Sequence, residues 1–155
     1  MAIKYSVLDL ATIIKGDNLS QTFDKSVRAA QKAEELGFTR YWFSEHHNMP
    51  NVASAATSLL IGHIASQTKT LRIGSGGIML PNHSTLSVAE QFGTLEALYP
   101  NRIDLGLGRA PGTEMLTAEA IRSDFMKAAH SFPSEIEKIE HYFSAANNKG
   151  KVRAP

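Results

Sequence analysis

The stretch Thr70–Gly112 reads TLRIGSGGIMLPNHSTLSVAEQFGTLEALYPNRIDLGLGRAPG, and it holds two strand-to-loop transitions with a helix between them. Leu71 and Ile73, then Ile78, Met79 and Leu80, are apolar β-formers, but Gly74-Ser75-Gly76-Gly77 interrupts them with side chains too small to fill space. A strand that surrenders its side chains at its carboxyl end lets a flat ligand lie close to the backbone. Arg102–Arg109, RIDLGLGR, repeats the design: an apolar strand, small residues, then a guanidinium suited to gripping an anion. Between the two, Val88, Phe92, Leu95 and Tyr99 recur at helical spacing, which predicts a helix over Thr85–Tyr99 closed by Pro100-Asn101.

The same unit recurs outward from this stretch. Ile3–Leu10 reads as a first strand, and Phe23, Val27, Ala30, Ala33 and Leu36 mark an amphipathic helix capped by Ser20 and ended at Gly37. Phe38–Ser44 returns to strand composition and runs into Glu45-His46-His47. Ala53–Gln67 is a helix rich in small residues, including Ser54, Ala56, Ser58, Gly62 and Ala65, which permits close packing on more than one side. Downstream lie a polar helical stretch, Glu114–Ala129, a second at Ser134–Ser144, and a turn at Asn147–Gly150. Strands centred near Tyr41, Arg72 and Ile103 are each 31 residues from the next. Such alternation implies an α/β fold of parallel strands with right-handed crossovers, either a doubly wound sheet or a (β/α) barrel. Both place ligands at the carboxyl ends of the strands, where Glu45-His46-His47, Ser75-Gly76-Gly77 and Gly108-Arg109 all fall.

The 155 residues, 43% hydrophobic and 20% charged, suit one domain spanning 1–155 with its own core. A net charge of +1 supplies no basic field, which argues against nucleic acid or an anionic membrane as partner. No run reaches transmembrane length, and Met1–Ser6 lacks the apolar core of a signal peptide. Without cysteine there is no disulfide or thiolate chemistry, and the cytoplasm is the expected location.

Imidazole and carboxylate both bind zinc or iron, but adjacent strand residues point to opposite faces and Glu45-His46-His47 lacks any recognised ligand spacing. No metal site is expected. A neutral imidazole at a strand end suits proton transfer, since its unperturbed pKa of about 6.5 lies near working pH; the alternative is that one histidine only hydrogen-bonds the loop. His63, His130 and His141 read as structural or solvated, and His83 is open between the two. Gly106–Gly112 looks like a dinucleotide fingerprint, but its GxGxxxG spacing is one residue too long and Pro111 obstructs a close helix start. Arg109 remains a candidate anion ligand, with a salt bridge to Asp104 or Glu114 as the alternative.

EHH at 45–47, RIGSGGIMLPNH at 72–83, AEQF at 89–92 and RIDLGLGRAPG at 102–112 together resemble the bacterial luciferase-like monooxygenases, a flavin-dependent class. The match is to the amino-terminal half of such an enzyme. It implies a (β/α)8 TIM-barrel fold with only the first four βα units, a half barrel. By resemblance, Gly76-Gly77 stands at a non-prolyl cis peptide against the isoalloxazine ring, with Ser75 and Gly108 beside the cofactor. His46 matches the proton-transfer histidine and Arg109 an arginine on the flavin phosphate. Gly108 stands where luciferase has a reactive cysteine, and Gly-Gly replaces Ala-Ala, departures that bear on light emission rather than on flavin binding. The implied reaction uses FMN, reduced by a separate flavin reductase, and O2 to oxidise a small organic substrate. The alternative is a non-catalytic half barrel that self-associates or binds flavin or a partner without turnover; a doubly wound phosphate-binding module rests on fold analogy alone. Four parallel strands cannot close a barrel, and family members pair through the helices after strands two and three. A homodimer or higher oligomer is therefore expected.

Overall fold

The computed structural model describes residues 3–144 together with Val152 and Ala154, so the turn expected at Asn147–Gly150 lies outside the described residues. In chain order the elements are β1 (Ser6–Asp9), α1 (Leu19–Glu35), β2 (Arg40–Phe43), α2 (Thr57–Gln67), β3 (Arg72–Ser75), β4 (Ile78–Met79), a 3-10 turn (Leu80–Asn82), α3 (Thr85–Leu98), β5 (Ile103–Asp104), β6 (Leu107–Gly108), α4 (Met115–Ile121), α5 (Phe125–His130) and α6 (Phe132–Phe143). The main sheet is parallel, in the order β1-β2-β3-β5. Strand order follows chain order without reversal, and right-handed crossovers then put every connecting helix on the same face. A doubly wound sheet needs a reversal, so that expectation is set aside.

Side-chain alternation divides the sheet. On one face Tyr41, Phe43 and Ile73 join Ala30 and Ala33 of α1, Ile61 and Ile64 of α2, and Val88, Phe92 and Leu95 of α3 in a single buried cluster. The opposite face carries Leu8, Trp42, Gly74 and Asp104 in register across the strands. There the Asp104 carboxylate accepts from Arg40 Nε at 3.1 Å, Trp42 Nε1 at 3.0 Å and Arg72 Nε at 2.9 Å.

Several boundaries differ from the sequence expectations for local reasons. Asn18, not Ser20, caps α1: its Oδ1 accepts from the Gln21 N–H at 2.9 Å while Gln21 Oε1 accepts from the Asn18 N–H at 2.9 Å, a reciprocal capping box. The chain at 53–56 is not yet helical, because the Ala53 N–H donates to the Ala11 carbonyl at 3.0 Å. The third and fourth strands are each interrupted, and their second pieces form a separate parallel ladder, Ile78 opposite Leu107 and Met79 opposite Gly108. The helix expected at Glu114–Ala129 breaks at Arg122, whose guanidinium donates to the Pro81 and His83 carbonyls at 3.3 and 3.2 Å and to Asp124 at 2.6 Å. Among the described residues no helix is long and apolar enough to cross a membrane.

Candidate active site

The glycines around the interruption of both strands are sterically required. A Cβ on Gly74 would lie 2.3 Å from the Asp104 carbonyl oxygen, one on Gly106 2.3 Å from that of Ser75, and one on Gly77 2.8 Å from that of Gly106. Much of the glycine run that suggested room for a ligand therefore serves the approach of one strand to the next. Ser75 belongs to that contact: it is fully buried, and its Oγ donates to the Gly106 carbonyl at 2.8 Å and accepts from the Gly106 N–H at 3.1 Å. Its hydroxyl is committed, which leaves only its backbone for a ligand. The Gly76–Gly77 peptide bond is cis. Gly76 and Gly108 are of another kind, since a Cβ there would meet side chains: Leu8 Cδ1 at 3.0 Å and Trp42 Cε3 at 3.1 Å for Gly76, Met79 Sδ at 2.6 Å for Gly108. Both lie on the sheet face away from the helices.

Glu45 organises the strand ends. It is 1% exposed, and its Oε1 accepts from His47 Nε2 and from His83 Nε2, each at 2.8 Å, while Oε2 accepts from the Met79 N–H at 3.0 Å. Burial pushes the carboxyl pKa up, but the two imidazole hydrogen bonds and the Met79 N–H outweigh it and hold the group at about 2. Asn82 Nδ2 adds a long contact to Oε1 at 3.4 Å and donates to the Pro111 carbonyl at 2.9 Å. Alternation over two residues puts Glu45 and His47 on one side. His83, 38 residues away, and Asn82 join through the 3-10 turn after β4, a convergence that no local pattern signals.

His46 points elsewhere. Its Nδ1 lies 3.3 Å from the Gly112 carbonyl, which can only accept, so Nδ1 carries a proton, and in the neutral ring Nε2 presents the lone pair. The same carbonyl accepts from the His47 N–H at 3.0 Å, tying the loop after β6 to the end of β2. Arg109 is exposed, and among the described residues its hydrogen bond is from Nε to the Ala129 carbonyl at 3.1 Å, near the end of α5. Neither suggested salt bridge forms: Asp104 is held by Arg40 and Arg72, and Glu114 faces Asn48 and Thr117 at 3.4 Å. Among the described residues the outer donors of the guanidinium make no hydrogen bond. No group of three or more His, Asp or Glu side chains among the described residues is placed to hold a metal ion.

A parallel βα succession with this interrupted pair of strands has close relatives, and the model of the luciferase-like monooxygenases matches residues 3–133. The chain belongs to that family. Its relatives include YvbT of Bacillus subtilis, an uncharacterised protein 55% identical over 96% of this chain and 44% of its own length. An N-acetyl-S-alkylcysteine monooxygenase of the same organism is 41% identical over 90% of this chain and 42% of its own. The crystal structure of apo-MsnO8 superposes with a TM-score of 0.90 at 35% identity, covering 99% of this chain and 46% of that one. The chain thus spans less than half the length of these proteins.

Proposed function

We propose that this chain carries the cofactor-facing half of an FMN-dependent monooxygenase that oxidises a small organic substrate with O2, on a sheet equivalent to half of a (β/α)8 barrel. The observation that carries this reading is the half-buried backbone at Gly76-Gly77, which bears no side chains of its own, together with a histidine whose Nδ1 is tied to the Gly112 carbonyl and an arginine bound through Nε alone among the described residues. These residues fit a flavin: a flat ring needs a surface without side chains, and a phosphate needs a fork of N–H donors. Bound in reduced form, FMN would supply two electrons to O2, so that one oxygen atom enters the substrate and the other leaves as water.

The chain's own part is orientation and proton handling. The Gly112 carbonyl fixes the His46 tautomer, so Nε2 is the atom able to take a proton and return it. Glu45, His47 and His83 hold the neighbouring loops in register, and the Nε2 protons of the two histidines are committed to the Glu45 carboxylate. Arg109 would grip the phosphate. That one relative acts, by its name, on N-acetyl-S-alkylcysteine supports a small substrate carrying an oxidisable heteroatom. A separate reductase supplies reduced FMN in this reading. In this reading the protein pairs through α2 and α3, which flank a groove of about 300 Å³ lined by Ser58, Leu59, Glu90, Gln91, Thr94 and Leu95.

Titrating wild type and Arg109→Ala with FMN and with riboflavin tests the assignment. The variant should lose roughly tenfold or more in FMN affinity and little in riboflavin affinity, since only FMN bears the phosphate. Equal loss for both ligands would remove Arg109 from the site, and no flavin binding by wild type would overturn the function.

A further inference from the structure

We infer that Met79 sets the room available to an organic ligand beside His46, an inference that rests on the monooxygenase reading above. Ile78 is buried and Leu107 packs against the main core, so their neighbours Met79 and Gly108, opposite each other in register, face the other way. The Met79 thioether lies across two glycines at once. A Cβ on Gly108 would sit 2.6 Å from its Sδ and 3.2 Å from its Cε, and one on Gly112 3.2 Å from its Cγ. The space that a side chain at 108 would occupy is thus filled by one unbranched chain from β4, which also flanks Gly112, where the Glu45 carbonyl oxygen, 2.5 Å from such a Cβ, is the nearer obstacle. Gly112 also supplies the carbonyl that orients His46, which places the thioether at the border of the candidate proton-transfer residue.

Two properties make this a size gate rather than ordinary packing. The Met79 backbone is anchored, its N–H donating to the buried Glu45 carboxylate at 3.0 Å, so the strand cannot retreat from a ligand. The side chain is half-buried, flexible and without a strong hydrogen-bonding group, so it selects by volume and yields by rotamer. One extra or missing methylene in an apolar site changes selection roughly tenfold or more.

The test uses the full chain as wild type, Met79→Ala and Met79→Phe, with circular dichroism melts to establish that each folds. Calorimetric titration with dimethyl sulfide and with benzyl methyl sulfide, at saturating oxidised FMN, reads the affinity ratio. Met79→Ala should raise the preference for the larger sulfide roughly tenfold and Met79→Phe should lower it, with FMN affinity nearly constant. The same ratio in all three proteins, or no sulfide binding to any of them, overturns the inference. Failure of wild type to bind FMN overturns the monooxygenase reading instead. In that case xenon in pressurised crystals decides Met79 separately: density against Gly108 in Met79→Ala but not in wild type supports the gate, and none in either sinks it.

Discussion

Glu45 shows how a single buried charge acquires a function in the fold. Its carboxyl is held at about 2 against a usual 4.5, so it contributes stability that is complete above about pH 4.5 and is lost as pH falls towards about 2. The stabilisation is on the order of 3 kcal/mol at neutral pH. Glu45→Gln should lose about that much in urea unfolding near pH 7, and the gap to wild type should shrink below about pH 4.5 and close near pH 2; a constant gap would show that the carboxylate's charge is irrelevant. His46→Ala should lower turnover while leaving FMN affinity nearly intact if, as proposed, it moves a proton; equal loss of both would make it a positioning residue. The histidines of Glu45-His46-His47 were legible from strand-end placement alone. That Glu45 is the hub was not, because its decisive partners, His83 and the Met79 N–H, come from another βα unit.

Helices were legible in their middles and obscure at their starts. Periodicity marks the buried faces of α1 and α3, whereas the first residue depends on which side chain reaches which free N–H. For α1 that is Asn18, and Asn18→Ala should cost about 1 kcal/mol by thermal or chemical unfolding, with Ser20→Ala nearly silent. The small residues of α2 have divided explanations. A Cβ on Gly62 would meet Leu95 Cδ2 at 3.2 Å, so Gly62 serves the contact of α2 with α3 inside the chain. Leu59, 74% exposed beside the α2–α3 groove, is the better probe of pairing. Leu59→Glu should lower the mass measured by light scattering towards monomer, and an unchanged oligomer would place the interface elsewhere.

Across the whole molecule, the 31-residue interval made the parallel sheet legible, but only the structure shows that the strands never change direction of succession. The tie of Asp104 to β2 and β3 also escaped the sequence reading, since Arg40 and Arg72 are ordinary surface types until the register brings them together. Burial raises the Asp104 pKa, while hydrogen bonds from Arg72 and Trp42 and the charges of Arg72 and Arg40 lower it further, so the carboxylate stays charged. Asp104→Ala should destabilise by about 2 kcal/mol, leaving donors from two strands unmatched, whereas Asp124→Ala, at an exposed pair, should leave the melting midpoint in place. The contact between the strands also restricts how the gene can drift. In a library of single substitutions, positions 74 and 106 would stay empty even of alanine, because the obstacle is the neighbouring backbone. Position 108 would accept alanine whenever the tip of Met79 swings aside. Descendants can therefore remodel the face at Gly108 one codon at a time, while the seam beneath it keeps its glycines, because no exchange of a partner's side chain moves a backbone carbonyl out of the way.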